Sequence, residues 1–219
     1  MPRASPVKSP TGQRLSTELR QAQIAEAALR IIAERGLGQF TTLALAREVG
    51  LTDGAVFRHF PTKTAVVLAA IERVGEILFQ GFPPEHPDPL TRLGRFFLHR
   101  VAAVASHPGI GRLLFSEELA HAASAEGAAQ VTAFKRRSVA FIRGCLTEAE
   151  KAGQLAPTVT PRHATTLVVG ALMALLYAGG LAPSPRRASA EAEGLWKTLE
   201  QILRAPEESK RRAGRAKAR

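Results

Sequence analysis

The sequence predicts an all-α protein in which a small N-terminal helical domain is joined to a larger helical domain. Three observations favour this fold class. Apolar residues recur at helical spacing along most of the chain, and no stretch alternates with a period of two for long enough to be a strand. Aromatic residues are only 5% of a chain that is 45% apolar, so the core is expected to consist of Ala, Leu and Val. Gly and Pro residues divide the apolar stretches into about nine helices.

The first three helices are short and closely spaced. The first is expected from about Glu18 to Glu34, before a glycine that can close it. Thr41 or Thr42 can cap the second helix, and Gly50 suits the left-handed residue that ends it. Thr52 can cap the third helix. The expected inner residues of the third helix are Val56, Phe57 and Phe60.

Six further helices are expected in the larger domain. Their apolar stripes and flanking caps predict helix 4 from Thr62 to about Gln80, helix 5 from Asp88 and Pro89, helix 6 from about Ile110 to His121, helix 7 from about Ala128 to Ala152, helix 8 from Thr160 and Pro161 to Gly179, and helix 9 from about Ala190 to Arg204. A chain of 219 residues is long enough for one domain of medium size or for a small and a larger one.

The second and third helices have the pattern of a helix-turn-helix unit. Gly50 marks the turn, and Ala46 is small enough for the two helices to cross closely. Small and basic side chains lie on the outward side of the third helix. In a helix-turn-helix protein the second helix of the unit fits the major groove of DNA. The pattern therefore indicates a DNA-binding domain.

The run from Thr41 to Lys63 resembles the N-terminal domain of the tetracycline-repressor (TetR) family of bacterial transcription regulators. The agreement lies, at fixed spacing, in Thr41, Leu45, Ala46, Gly50, Leu51, Thr52, Gly54, Val56, Phe57, His59, Phe60 and Lys63. It covers about residues 15–75, and beyond them only the helical layout and the length are similar. The resemblance implies a DNA-binding domain at residues 15–62, with the helix-turn-helix at about 41–60, and a ligand-sensing and dimerisation domain at residues 63–205.

The resemblance and the outward positions on the helices together indicate the residues that contact DNA. They are Thr42, Arg47, Thr52, Asp53, Gly54, Ala55, Phe57, Arg58, His59 and Lys63. Gly54 and Ala55 keep the third helix thin, so that its backbone can approach the bases. Arg58 can bind a guanine edge or a phosphate, and both remain open. Thr42 and Thr52 can bind phosphates or act as helix caps.

Two positions depart from the family pattern. Position 55 is commonly Thr or Ser and position 57 is commonly Tyr, so Ala55 and Phe57 each lose a polar contact. The formal net charge is +11, and most of the excess lies in residues 1–63 and 205–219. The basic tails, residues 1–14 and 206–219, are expected to be disordered, and they either contact DNA or remain solvated.

Helices 8 and 9 are too apolar to be exposed in a soluble monomer. They are expected to pair with the same helices of a second copy, giving a homodimer whose two recognition helices read a palindromic operator. The candidate residues of this interface, or of the core beside it, are Leu172, Met173, Leu176 and Trp196.

The resemblance also implies a pocket, enclosed by helices 4 to 8, for a small and largely apolar effector. Its candidate lining residues are Phe96, Phe97, Arg100, Phe115, His121, Phe134, Phe141 and Tyr177. Ordinary core is the alternative, because core residues recur at the same spacing. Arg100, His121 and Tyr177 can orient an acid or carbonyl group. The expected function is a repressor whose affinity for DNA falls when the effector binds.

Sequence patterns of enzymes and metal sites are few. Glu118 and His121 have the spacing of one di-iron ligand pair, but such a site needs two pairs and more carboxylates. The sequence has no Walker loop, no dinucleotide-binding glycine pattern and no zinc-protease motif. We therefore expect no enzymatic activity, no cofactor and no metal. An architectural protein that binds DNA without sequence preference is the alternative function.

The segment from Ala164 to Ala182 has 19 residues and no charge. It can be a membrane span or a helix that is buried by protein. Gly179 and Gly180 shorten the apolar helix, and no second hydrophobic segment accompanies it, which favours the buried helix. We accordingly expect a cytoplasmic protein that has no membrane partner.

Overall fold

The computed structural model describes residues 16–36, 39–115, 124–179 and 184–206. Within these ranges the chain forms nine α-helices and no strand, which confirms the predicted all-α fold. The helices are α1 (Thr17–Arg35), α2 (Thr42–Glu48), α3 (Asp53–His59), α4 (Lys63–Leu78), α5 (Pro89–Ser106), α6 (Pro108–Phe115), α7 (Ser124–Lys151), α8 (Pro161–Gly179) and α9 (Pro185–Leu203).

Threonine hydroxyls start three successive helices in the first third of the chain. The side-chain oxygens of Thr41, Thr52 and Thr62 accept hydrogen bonds from backbone N–H groups three residues later, at 3.1, 3.3 and 3.1 Å. These bonds satisfy backbone donors that have no partner within their own helix. Of the two threonines that could cap α2, the structure therefore uses Thr41, and Thr42 is the first helical residue.

The predicted start of the last helix was wrong. α9 begins at Pro185 rather than at Ala190, because Ser184 caps it by accepting a hydrogen bond from the Arg187 N–H at 3.3 Å. A proline is favoured in the first turn of a helix, where its missing N–H has no partner to lose.

Other predicted helix ends differ from the structure by smaller amounts. α4 ends at Leu78, before the expected Gln80, and α7 begins at Ser124, before the expected Ala128. The last turn of a helix lacks some of its backbone bonds, so its end depends on few interactions. The predicted end of helix 6 at His121 lies outside the described residues.

α1 is the centre of the N-terminal domain, where it packs against α2, α3 and α4. The side chains that are fully buried in this core include Ile24, Ile31, Ile32, Phe40, Leu45, Val56 and Val66. They come from all four helices and from the segment before α2. The first turns of α4 therefore share one apolar core with the helix-turn-helix.

α5 is the centre of the larger domain, where it packs against α7, α8 and α9. Gly94 allows α9 to approach, because a Cβ at this position would overlap the indole ring of Trp196. The centroids of the Trp196 and Phe97 rings are 5.5 Å apart. Arg204 binds both carboxylate oxygens of Asp88 at 3.1 Å, and this pair joins the end of α9 to the start of α5.

α6 lies directly against the end of α1. Gly109 packs so closely on the backbone carbonyl of Leu29 that any side chain there would clash with it. The guanidinium of Arg112 donates a hydrogen bond to the Ile32 carbonyl at 3.2 Å. The same carbonyl accepts a second bond from the Gly36 N–H at 3.1 Å. The larger domain thus contacts α1 through α6, while α4 connects the two domains along the chain.

Across the four described ranges, no helix combines the length and the hydropathy that crossing a lipid bilayer requires. α8 buries Val168, Leu172 and Leu176 against neighbouring helices of the same chain. One face of this apolar helix is therefore covered by protein, as the sequence favoured.

Candidate functional site

The turn between α2 and α3 has the geometry of a helix-turn-helix. Gly50 has a φ of 65°, in the left-handed region that glycine adopts without strain. The Leu51 N–H donates to the Ala46 carbonyl at 2.9 Å, which closes the last turn of α2. Ala46 is 2% exposed and Val56 is fully buried, so the two helices cross where both side chains are small.

The opposite side of α3 faces solvent. Asp53, Gly54 and Arg58 are exposed, and Ala55 is half-buried. No atom other than those of its own helix and chain neighbours lies within 4 Å of the position that a Cβ would take at Gly54. This side of α3 is therefore thin and open, as entry into a groove requires.

The helices before and after α3 carry exposed basic side chains. Arg47 on α2 and Lys63 at the start of α4 are both exposed. The Nζ atom of Lys63 lies 5.3 Å from the centroid of the buried Phe40 ring, which holds its stem against the domain. Glu48 is paired with Arg30 at 3.4 Å, so its negative charge is partly offset. The surface around α3 can therefore attract a polyanion.

A second concave site lies in the larger domain, between α4, α5, α6, α7 and α8. It is a cavity of about 240 Å³. Most of its lining is apolar and includes Leu78, Leu114, Phe134, Val169 and Leu176. Its polar side chains are Arg100, Lys135 and Ser138, and the Ser138 hydroxyl is already bonded to the Phe134 carbonyl at 2.9 Å.

Arg100 gives this cavity a buried positive charge. Its side chain is only 3% exposed, and its Nε and Nη2 atoms have no hydrogen-bond partner in the described part of the protein. Its guanidinium lies over the rings of Phe79 and Phe96, at 4.8 and 4.9 Å from their centroids. Burial, and then the positive charge of Arg137, lower the pKa of Arg100 to about 10. Arg100 therefore remains charged at neutral pH.

The N-terminal domain matches a known family. Residues 24–70 match the family model described as bacterial regulatory proteins, tetR family. The N-terminal domain is a TetR-family domain. This agrees with the resemblance that the residues from Thr41 to Lys63 carry.

Curated relatives and solved structures are also similar to this chain. Nucleoid occlusion factor SlmA of Alteromonas mediterranea is 35% identical over 104 residues, which are 46% of this chain and 53% of SlmA. The chain thus spans about half the length of the curated relatives it matches. The ketosteroid transcriptional regulator KstR2 of Mycobacterium tuberculosis is 18% identical with a TM-score of 0.70, over 89% of this chain and 98% of KstR2.

A further solved structure is AibR in complex with isovaleryl coenzyme A and operator DNA. It is 20% identical with a TM-score of 0.65, and the match covers 82% of this chain and 97% of AibR. At such identities the likeness to AibR and to KstR2 is evidence for the fold alone. The similar fold therefore extends beyond residue 70, where the family model ends.

Most of the predicted DNA-contacting residues are exposed in the structure. Thr52, Asp53, Gly54, Arg58, Arg47 and Lys63 are exposed, and Thr42, Ala55 and His59 are half-buried. The expectation that Phe57 is an inner residue was wrong, because its side chain is 42% exposed. Val56 and Phe60, one helical turn apart, face the core, and Phe57 is rotated away from them.

The predicted ligand residues are spread over three environments. Arg100 and Phe134 line the cavity. Phe96 and Phe141 belong to a neighbouring aromatic cluster, with ring centroids 5.0 Å apart. Phe97 is fully buried against Trp196, on the other side of α5, and does not line the cavity.

The remaining predicted ligand residues do not line the cavity either. Phe115 is 39% exposed and Tyr177 is 77% exposed. His121 lies outside the described residues. Leu78, Leu114 and Val169 line the cavity but were not predicted, because an apolar side chain beside a cavity has the same spacing as one in solid core.

The predicted dimer residues mostly face inward within this chain. Leu172 and Leu176 are 3% and 4% exposed and line the cavity, and Trp196 is 7% exposed against α5. Only Met173, at 37%, is exposed. The exposed apolar residues of α8 are Leu167 and Tyr177 together with Met173, which also lines the cavity. The apolar character of α8 was correctly read, but the sequence does not distinguish the side covered by this chain from the side left open.

Proposed function

We propose that this chain is a dimeric regulator that binds a palindromic operator and is released from it when a small effector enters the cavity. The observation that carries the proposal is the thin, exposed side of α3, which projects from a complete helix-turn-helix between helices that carry exposed basic residues. AibR, whose fold is similar, was captured with both operator DNA and a small molecule.

In the proposed complex α3 enters the major groove. The open surface at Gly54 lets the backbone approach the bases, and the exposed Arg58 can bind a guanine edge through two hydrogen bonds. Arg47 and Lys63, on the helices before and after α3, neutralise phosphates, which supplies affinity without sequence preference.

Two copies are needed for a specific site, because one recognition helix contacts only a few base pairs. We propose that the outer side of α8, with α9 beside it, pairs with its symmetry mate. Leu167 and Tyr177 on α8 are 51% and 77% exposed, and Ile202 on α9 is 52% exposed. Covering this apolar face would set the two α3 helices about 34–36 Å apart, one turn of DNA.

The effector would act through α6. Leu114 of α6 lines the cavity, while Gly109 and Arg112 of the same helix contact the end of α1. A ligand that binds more tightly to one position of α6 would shift the placement of the N-terminal domain, and hence the affinity for the operator.

The DNA-binding proposal is tested by selecting bound fragments from random DNA and measuring affinity for the selected site and for a scrambled one. Arg58→Ala is expected to weaken binding to the selected site about 10- to 100-fold. Arg143→Ala, an exposed arginine on α7, is the matched control and should leave affinity nearly unchanged. Equal binding of selected and scrambled DNA would contradict the proposal.

The alternative is an architectural protein that binds DNA without sequence preference. The net charge of +11 is the observation in its favour, and SlmA, a relative over about half of its length, is named as a nucleoid occlusion factor. This function predicts a steep loss of affinity with salt and equal competition by random DNA. The same competition assay therefore separates the two functions.

The dimer proposal is tested separately by sedimentation. The double variant Leu167→Glu with Tyr177→Glu should be a monomer at micromolar concentration, since it places charges in the proposed apolar interface. Leu19→Glu, which changes a residue 54% exposed on α1, is the control and should remain a dimer. A wild-type monomer that still binds a unique palindrome would contradict pairing through α8.

A further inference from the structure

Arg100 is the only charged side chain buried in the described ranges, and part of its bonding capacity is unused. Its Nε and Nη2 atoms, buried and without a partner, form one edge of the guanidinium. That edge is the one that binds a carboxylate through two parallel hydrogen bonds. A buried donor without a partner is costly to the fold, so its retention calls for an explanation.

Among the residues that the structure describes, the surroundings of Arg100 supply aromatic faces but no negative charge. The guanidinium carbons of Arg100 and Arg137 both lie over the Phe79 ring, at 4.8 and 4.3 Å from its centroid. Stacking on an aromatic face offsets part of the cost of burying a cation but satisfies none of its N–H groups. No carboxylate among the described residues forms an ion pair with Arg100.

The cavity beside Arg100 also lacks an acidic lining residue. Lys135 adds a second cation to its lining, and the other side chains are apolar apart from Ser138. An apolar cavity with two cationic groups and no acid among its described lining residues fits a ligand that has an apolar body and a negatively charged end.

We propose that this cavity binds a monocarboxylate with an apolar tail, and that the carboxylate pairs with Nε and Nη2 of Arg100. The inference rests on the proposed effector site and adds the chemical class of the effector. A cavity of about 150 Å³ holds benzene, with its six carbons. By proportion the cavity of about 240 Å³ accommodates about ten non-hydrogen atoms, the size of octanoate or phenylacetate.

A carboxylate fits this site better than a phosphate monoester. The buried guanidinium of Arg100 is balanced by one negative charge. The second charge of a phosphate dianion would depend on Lys135, whose side chain is exposed and therefore a weaker partner. The same reasoning disfavours a neutral amide or alcohol, because neither replaces the missing charge at the Arg100 edge.

The test measures binding of octanoate, octanamide and octyl phosphate to the full-length protein by titration calorimetry. Octanoate should bind about 10- to 100-fold more tightly than octanamide, as expected for a pair of hydrogen bonds between charged groups. Arg100→Met should remove this preference, so that acid and amide bind alike. Arg136→Met, an exposed arginine on the same helix as Lys135, should keep the preference.

Three results would overturn the inference: equal affinity of octanoate and octanamide for the wild type, tighter binding of octyl phosphate than of octanoate, or an unchanged preference in a folded Arg100→Met variant. The wild-type comparison decides alone if that variant does not fold. Segment 116–123, outside the described residues, contains the acids Glu117 and Glu118. The double variant Glu117→Gln with Glu118→Gln is the control for them, and it should keep the preference for octanoate over octanamide.

An operator-binding assay with octanoate separates this inference from the proposed function. Octanoate that binds at Arg100 but leaves DNA affinity unchanged would support the acid site and contradict its role as an effector site. Failure of the protein to bind any selected DNA, with acid binding intact, would contradict the DNA-binding proposal alone.

Discussion

The two halves of the molecule use arginine in opposite ways. In the N-terminal domain Arg58 and Arg47 are exposed around a fully apolar core, whereas in the larger domain Arg100 is 3% exposed inside the core. An exposed arginine attracts a charged partner and adds little to the cost of folding. A buried one destabilises the fold unless a ligand or neighbour satisfies it. The difference predicts that a bound ligand stabilises the larger domain by satisfying its buried arginine, whereas the N-terminal domain has no such dependence.

The largest expected effect on stability comes from replacing the buried Arg100 with methionine, and the exposed Arg58 serves as the comparison. Arg100→Met should raise the free energy of unfolding by about 1–4 kcal/mol, because it replaces an unsatisfied buried charge with an apolar side chain of similar length. Arg58→Met should change it by less than about 0.5 kcal/mol. Denaturant unfolding without ligand measures both. A loss of stability in Arg100→Met would contradict the conclusion that the buried arginine destabilises the larger domain.

A pair of glycines sharpens the comparison. Gly94→Ala should destabilise the fold by about 1–3 kcal/mol, because the added methyl group overlaps the Trp196 indole. Gly54→Ala should stabilise the free protein by about 0.5–1 kcal/mol, since that position of α3 is open. The same methyl group should weaken operator binding, because it thickens the exposed side of α3. Unchanged operator affinity in Gly54→Ala would argue against entry of α3 into the groove.

Phe57 offers a smaller effect. Its ring is 42% exposed on α3, and Phe57→Tyr adds the hydroxyl that is common at this position in the family. One new hydrogen bond to a phosphate should tighten operator binding about 2- to 10-fold. Phe57→Leu, which adds no hydroxyl, is the control and should give no gain. Equal affinities for all three proteins would indicate that position 57 does not reach the DNA backbone.

The last prediction concerns the stability of the protein at low pH. The two hydrogen bonds from Arg204 hold the pKa of Asp88 well below its ordinary value near 3.9. Because the pKa is depressed in the folded state, this stabilisation is fully present above about pH 4 and is lost as the pH falls below it. Asp88→Asn should therefore lower stability by about 1 kcal/mol at neutral pH and flatten its decline between pH 4 and 2.

Glu48→Gln is the matched control for this measurement. Glu48 pairs with Arg30 on the surface at 3.4 Å, with both side chains at least a third exposed. Its removal should change stability by less than about 0.5 kcal/mol. Unfolding followed by circular dichroism across this pH range compares the two variants, and an identical response would show that the Asp88 pair is no stronger than a surface pair.

Local chemistry explains why much of the N-terminal domain was predictable. Thr41, Gly50 and Thr52 each act on their own backbone, so their roles follow from the residue types and their spacing. Phe57 was misplaced because it lies next to Val56, and apolar character does not tell which of two neighbours faces inward. The start of α9 was missed although Ser184 and Pro185 form a favourable helix start.

The larger domain was less predictable because its sites depend on contacts between distant segments. The apolar spacing of Phe96 and Phe97 is the same, yet one faces the aromatic cluster and the other packs on Trp196. Leu172, Leu176 and Trp196 are buried by contacts within one chain. Burial between two copies would give the same apolar pattern, so the sequence alone does not distinguish the two. Arg100 was predicted as one of the few polar groups near the pocket that the family resemblance implies, and the structure places it in the lining of the cavity.

The shared carbonyl of Ile32 has a consequence for how the domains can part. It accepts one bond from the N–H of Gly36 and one from Arg112 of α6. If α6 withdraws, the carbonyl keeps its backbone partner, and the final turn of α1 stays intact. The N-terminal domain could therefore move as a rigid body relative to α6 without unfolding the last turn of α1.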